Sequence, residues 1–196
     1  MQPLNRELWT DNLFQIIMKQ NYEPSPTPSP FLIEHIDLFP KGKALDLAMG
    51  GGRNAIYLAG QGYETDGVDI SPEFVEIANK RAKQKGVHLN ARVVDLEDDF
   101  KIKENYYDLI ICFNYLQRNI IPQIKAGLRK DGMIVYETYI VDQIRFGKPK
   151  NPDHLLEQNE LLDMFRDFRC LYYREGVLEE QRAIARIIAE KIKRKA

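Results

Sequence analysis

A chain of 196 residues, 44% hydrophobic and 29% charged, is long enough to bury a sizeable core and reads as one globular domain. Its net charge of −1 excludes an overall electrostatic pull toward nucleic acid or an anionic membrane, and no apolar run approaches the ~20 residues of a membrane span. Residues 1–7 lack a basic-then-apolar leader, and the two cysteines, Cys112 and Cys170, sit in apolar runs as buried thiols of a reducing compartment, so a cytoplasmic location is expected.

Residues 1–20 carry helical spacing (Leu4, Leu8, Leu13, Ile16, Ile17) around the lone Trp9. Pro24, Pro26, Pro28 and Pro30 then forbid a helix and impose an extended connector. A helix restarts near Phe31 and stops at Pro40, so 1–40 read as a helical prefix and connector and 41–196 as the main domain. From Lys43 strands and helices alternate. Residues 44–48 form a strand, 53–61 a helix and 64–70 a strand. Ser71 caps a helix with Pro72 in its first position, and Gly86 stops it. Strands come next at 88–94 and 107–113, then a short helix at 120–128 and a fifth strand at 133–138. Residues 159–165 read as helix and 168–174 as strand. Residues 182–193 have helix-friendly composition, yet 184–188 read equally well as a strand. This rhythm predicts an α/β fold, a doubly wound three-layer α/β/α sandwich around a mostly parallel sheet.

The chemistry concentrates in Ala44-Leu-Asp-Leu-Ala-Met-Gly-Gly-Gly-Arg-Asn54, where an apolar run carrying Asp46 breaks into three glycines before a helix. Glycine lets backbone turn sharply and approach a ligand, and the helix start directs unpaired N–H groups into the same space. Gly50-Gly51-Gly52-Arg53-Asn54-Ala55 also satisfies the dinucleotide pattern G-x-G-x-x-A, with Asp69 about 20 residues on. An NAD(P)-dependent oxidoreductase is therefore a rival reading. Asp46 argues against it, because its carboxylate would lie beside the pyrophosphate. The same carboxylate suits an amino-acid ammonium group. Asp69, ending the second strand, could accept from ribose hydroxyls. Asp95, ending the third, could accept from an adenine amino group beside the Leu96 N–H. The plainer alternative is that each acid only caps the turn after it.

On these residues the chain resembles the class I S-adenosylmethionine-dependent methyltransferases, and within them the small stand-alone enzymes related to the tellurite-resistance methyltransferase. The family's acidic-x-G-x-G-x-G motif falls on Asp46, Ala48, Gly50 and Gly52, with Ala48 replacing the first glycine; Arg53-Asn54 is typical of this subgroup. The resemblance implies S-adenosyl-L-methionine as cofactor, with Asp69 on the ribose and Asp95-Leu96 on the adenine. Asp46, Ala48, Met49, Gly50, Gly52, Arg53, Asn54, Ile70, Phe113 and Asn114 complete its cradle. It also implies a seven-stranded sheet with an antiparallel last strand, which makes 182–192 a strand.

The acceptor side is expected in the segments after the fourth and fifth strands. Tyr115 could lean on the sulfonium and Arg118 could draw an anionic acceptor, while Glu137 is the candidate base. Tyr139, the loop 140–156 with Arg145, and Trp9 and Tyr22 of the prefix are candidate substrate contacts. Core packing is the competing role for the aromatics and solvation for the arginines. His35, His88 and His154 are too scattered for a metal centre, so no metal is expected. The expected partner is a small-molecule methyl acceptor, with no membrane and no nucleic acid, and the chain a monomer or homodimer. A protein that binds S-adenosylmethionine without turnover is the non-enzyme alternative.

Overall fold

Alternating apolar runs become a seven-stranded sheet because each is flanked by glycine, proline or a capped helix that returns the chain across it. The computed structural model describes residues 23–98 and 100–192. The expected helix over residues 1–20 with Trp9, Tyr22 after it, and residues 193–196 lie outside the described residues. In chain order the elements are α1 (Pro30–Glu34), β1 (Lys43–Leu47), α2 (Arg53–Gly60), β2 (Glu64–Asp69), α3 (Pro72–Lys85), β3 (Leu89–Val93), β4 (Tyr107–Phe113), α4 (Ile121–Gly127), β5 (Leu128–Tyr139), α5 (Glu160–Met164), β6 (Arg169–Glu179) and β7 (Arg182–Glu190). The sheet order is β3-β2-β1-β4-β5-β7-β6. Strands β1 to β5 pair in parallel, and β7 runs antiparallel to both β5 and β6.

Local chemistry accounts for most boundaries. The Ser71 hydroxyl accepts from the Phe74 N–H at 3.2 Å, Pro72 opens α3, and Gly86 closes it at φ 68°, the left-handed cap that glycine favours. The helix expected from Phe31 to Pro40 is shorter: α1 stops at Glu34 and gives way to a 3-10 turn, Ile36–Leu38. Strand β5 begins at Leu128 rather than 133, taking in a left-handed Asp131 (φ 62°) and a register shift against β4.

Both sheet faces are buried. On one, Leu45, Leu47, Ile110, Cys112, Tyr136 and Ile187 pack with Ile124 of α4 and Leu161 of α5. On the other, Leu109, Ile111, Val135 and Ile188 pack with Phe31, Leu32 and Leu58. The connector therefore enters the core at Phe31. Each fully buried Leu or Ile contributes about 1.5–3 kcal/mol. Strand β7 explains the helix ambiguity: Ile184 and Ile188 face one side and Ala185 and Ile187 the other, all buried, so no polar alternation marks the strand. Cys170 corrects an expectation. It is exposed, because β6 is the sheet's edge strand and its outer residues meet solvent; Cys112 is buried as expected.

Candidate active site

The glycine turn joins β1 to α2 by alternating left-handed residues, Ala48 (φ 54°), Gly50 (φ 56°) and Gly52 (φ 77°). Inside the turn the Met49 N–H donates to Val68 O at 3.0 Å and the Gly52 N–H to Met49 O at 3.1 Å. A Cβ on Gly52 would lie 2.8 Å from Ala78 Cβ, and one on Gly51 2.6 Å from Pro24 Cγ, whereas one on Gly50 would meet nothing within 4 Å. The turn is thus walled on two sides and open at Gly50.

Asp46 lies in β1 just before the turn and is 2% exposed. Its Oδ2 is the one buried side-chain oxygen or nitrogen among the described residues that has no hydrogen-bond partner. Burial pushes its pKa up to about 8; the Ala55 N–H and Arg53 pull it back and Asp69 adds to the rise. Asp69, also buried, accepts at Oδ2 from the Gly50 N–H (2.7 Å) and at Oδ1 from the Ser71 N–H (3.0 Å). Burial raises its pKa, and these backbone donors moderate the shift. The Val94 N–H donates to Asp69 O at 2.8 Å, so the ends of β2 and β3 form one edge. Asp95 sits on that edge, half-buried, its Oδ1 accepting from the Glu97 N–H at 2.8 Å. The capping alternative therefore describes part of what Asp69 and Asp95 do. Beside them, Ile70 (47% exposed) and Val93 (52%) offer apolar surface.

Tyr115 closes the other end. Its carbonyl accepts from the buried Tyr136 hydroxyl at 3.0 Å and from Cys112 Sγ at 3.8 Å, which fixes the turn after β4. Burial raises the Tyr115 phenol, and Glu97, Cys112, Asp95 and Asp69 add to the rise, so the ring stands within electrostatic reach of both strand-end acids.

Several expected contacts turn elsewhere. The Met49 side chain is core, filling the space a Cβ on Gly67 would need, and Phe113 is core as well. Leu96 is half-buried against the core. The Asn54 side chain, 3% exposed, accepts from the Ser29 N–H at 2.8 Å, and Arg53 Nη1 reaches Thr27 O at 3.4 Å. Both side chains hold the connector, which leaves their N–H groups at the start of α2 to face a ligand. Arg118 is not a free cation. Nε and Nη2 grip the two oxygens of Glu160 at 2.6 and 2.9 Å, and Nη1 and Nη2 donate to Asp153 O and Leu155 O, both at 2.9 Å. It ties the 152–160 segment to the turn after β4. Glu137, 2% exposed, gives both oxygens to guanidiniums: Oε1 to Arg182 Nη2 at 3.2 Å and Oε2 to Arg186 Nε at 2.6 Å. Both of its oxygens are thus taken up by the arginine pair. Arg145 is exposed, near Asp142 at 3.9 Å. Trp9 and Tyr22 lie outside the described residues.

Sequence reasoning missed Arg182 and Arg186. Both also pair with Glu179, and Arg182 donates to Asn114 Oδ1 at 3.0 Å and lies 5.6 Å over the Tyr139 ring. Their signal was the i, i+2, i+4 spacing Arg182, Ile184, Arg186, which shares one face only in a strand. Among the described residues no group of three or more His, Cys, Asp or Glu could hold a metal, and no helix is long and apolar enough to cross a membrane.

Comparison with known proteins agrees with this geometry. Residues 44–132 match the family model of a methyltransferase domain. The ubiquinone biosynthesis O-methyltransferase of Actinobacillus pleuropneumoniae is 28% identical over 132 residues, covering 60% of this chain and 56% of that protein. A probable S-adenosyl-L-methionine-dependent methyltransferase TehB of Haemophilus influenzae is 25% identical over 142 residues, covering 70% of this chain and 49% of that one. The chain thus spans about half the length of these curated relatives. The crystal structure of TehB from Haemophilus influenzae superposes with a TM-score of 0.72 at 20% identity, over 90% of this chain and 65% of that one, and shares its fold. Residues 44–132 thus match a methyltransferase domain, and the chain is similar in sequence and fold to S-adenosylmethionine-dependent methyltransferases.

Proposed function

We propose that this chain transfers a methyl group from S-adenosylmethionine to a small acceptor that is already anionic or strongly polarisable, such as a thiolate or a chalcogen oxyanion. The observation that carries the cofactor reading is the orphaned Asp46 Oδ2, a buried carboxyl oxygen on the strand that leads into the glycine turn. An unpartnered buried acid is costly, and an ammonium donor removes the cost. A diphosphate brings no donor to that oxygen and opposes its ionisation, which disfavours the NAD(P) reading.

In this reading Asp46 receives the ammonium of the amino-acid end, and the Arg53 and Asn54 N–H groups its carboxylate. Asp69 uses lone pairs left by its two backbone donors for the ribose hydroxyls. Asp95 and the Leu96 N–H hold the adenine between Ile70 and Val93. Tyr115 sets its ring toward the sulfonium. When bound, the cofactor supplies an electrophilic methyl with a good leaving group. The protein's work is alignment and water exclusion, so proximity is the largest contribution. Glu137 is engaged by two arginines, leaving no evident base for a neutral hydroxyl among the described residues. This favours an acceptor that needs none, unlike a phenol. A reducing cytoplasmic setting suits a thiol or chalcogen acceptor.

Tritiated S-adenosylmethionine offered with thiol, chalcogen oxyanion, phenol and carboxylate acceptors tests the proposal. Label should appear in the first two classes and not in phenols at neutral pH. Binding of S-adenosylhomocysteine with no transfer to any acceptor would favour a non-catalytic binding protein. NADH binding without S-adenosylhomocysteine binding would remove the reading.

A further inference from the structure

We infer that Arg81, on α3 and behind the glycine turn, is a positioning residue for the cofactor: it brackets the turn against the proline connector without touching the ligand. The inference rests on the cofactor reading above. The Arg81 side chain is 13% exposed and reaches three separate acceptors. Nη1 donates to Gly51 O at 3.4 Å, and Nη2 donates to Pro24 O at 2.6 Å and Glu23 Oε1 at 3.1 Å. One guanidinium therefore joins helix, turn and connector.

The connector needs such a bracket. Its prolines donate no N–H, and it pairs with no strand among the described residues, so side chains must hold it. Arg81 holds its start at Pro24. Asn54 holds its end, accepting from the buried Ser29 N–H at 2.8 Å. Between these anchors the connector lies on the turn so closely that a Cβ on Gly51 would be 2.6 Å from Pro24 Cγ and 2.8 Å from Arg81 Nη1. Gly51 thus faces the bracket and Gly50 the open ligand side. A planar fork sends two separate nitrogens to carbonyls on different segments, a fixed spread that the single nitrogen of a lysine lacks. With the bracket in place the turn is held in the shape the ligand requires. Without it, binding must first order the Gly51 peptide and the connector, which costs affinity. The coupling is reciprocal: a ligand that favours the ordered turn must also tighten the connector.

Calorimetry with S-adenosylhomocysteine on the full chain, together with amide exchange of Ser25, Thr27 and Ser29, tests this in wild type, Arg81→Met and Arg81→Lys. In wild type the ligand should slow exchange at those amides. Arg81→Met should weaken binding about tenfold, and its connector exchange should no longer respond to ligand. Arg81→Lys, which keeps the charge and one contact, should fall between, and it carries the test if Arg81→Met does not fold. Wild-type affinity within twofold in both variants, or connector exchange indifferent to ligand in wild type, would overturn the inference while leaving the cofactor reading standing. A wild-type protein that does not bind S-adenosylhomocysteine would overturn both.

Discussion

Asp46 holds a carboxyl group where water cannot reach it and gives one oxygen nothing to bond. With its pKa pushed up to about 8 from an ordinary 3.8, it is protonated in the folded chain at neutral pH and ionised in the unfolded one. Its contribution to stability is therefore fully present below about pH 4 and is lost as pH rises toward 8. Asp46→Asn removes that dependence, so the variant should gain stability over wild type as pH increases across this window. Urea titrations at pH 5 and pH 8 measure the difference, which should be larger at pH 8. Ala48 carries a smaller strain: at φ 54° its methyl occupies a region costing about 1–2 kcal/mol for an L-residue. Ala48→Gly should raise the unfolding free energy by up to about 1 kcal/mol, since glycine's extra freedom in the unfolded chain offsets part of the relief.

Two ion clusters set how the elements around the acceptor end fit together. Glu137 locks β5 to β7 through Arg182 and Arg186. Glu137→Ala leaves both guanidiniums with Glu179 alone as acidic partner and should cost about 1.5–3 kcal/mol in urea unfolding. The Arg118–Glu160 pair is more exposed and acts as a latch on the 152–160 segment. Arg118→Met should speed amide exchange in that segment while leaving S-adenosylhomocysteine affinity within twofold. A matching loss of affinity would put Arg118 in the binding site itself. These clusters also mark where the sequence stopped being legible. The glycine turn and the three strand-end acids were readable because strand, turn and helix signals coincide within a few residues. The partners of Arg118 and Glu137 were not, since they lie 35 to 49 residues away and pairing at that range depends on register. Asn54 misled for a similar reason: a side chain next to the ligand turn was claimed by a connector 25 residues earlier. Strand β7 hid its identity because burial on both faces erased the alternation that marks a strand.

Across the molecule, parallel strands deliver Asp46, Asp69 and Asp95 to one edge, and the antiparallel β7 brings Arg182 and Arg186 to the same end of the sheet. In the proposed reading the cofactor lies along these acids, while Glu137 and Glu179 balance Arg182 and Arg186 where β5 meets β7. That reading stands only if Asp46 meets a cation. Calorimetry of S-adenosylhomocysteine at pH 7, run in two buffers of different ionisation enthalpy, tests this most directly. Binding in the micromolar range should release nearly one proton as the Asp46 carboxyl ionises against the ligand's ammonium. Heats identical in both buffers, or no binding at all, would contradict it.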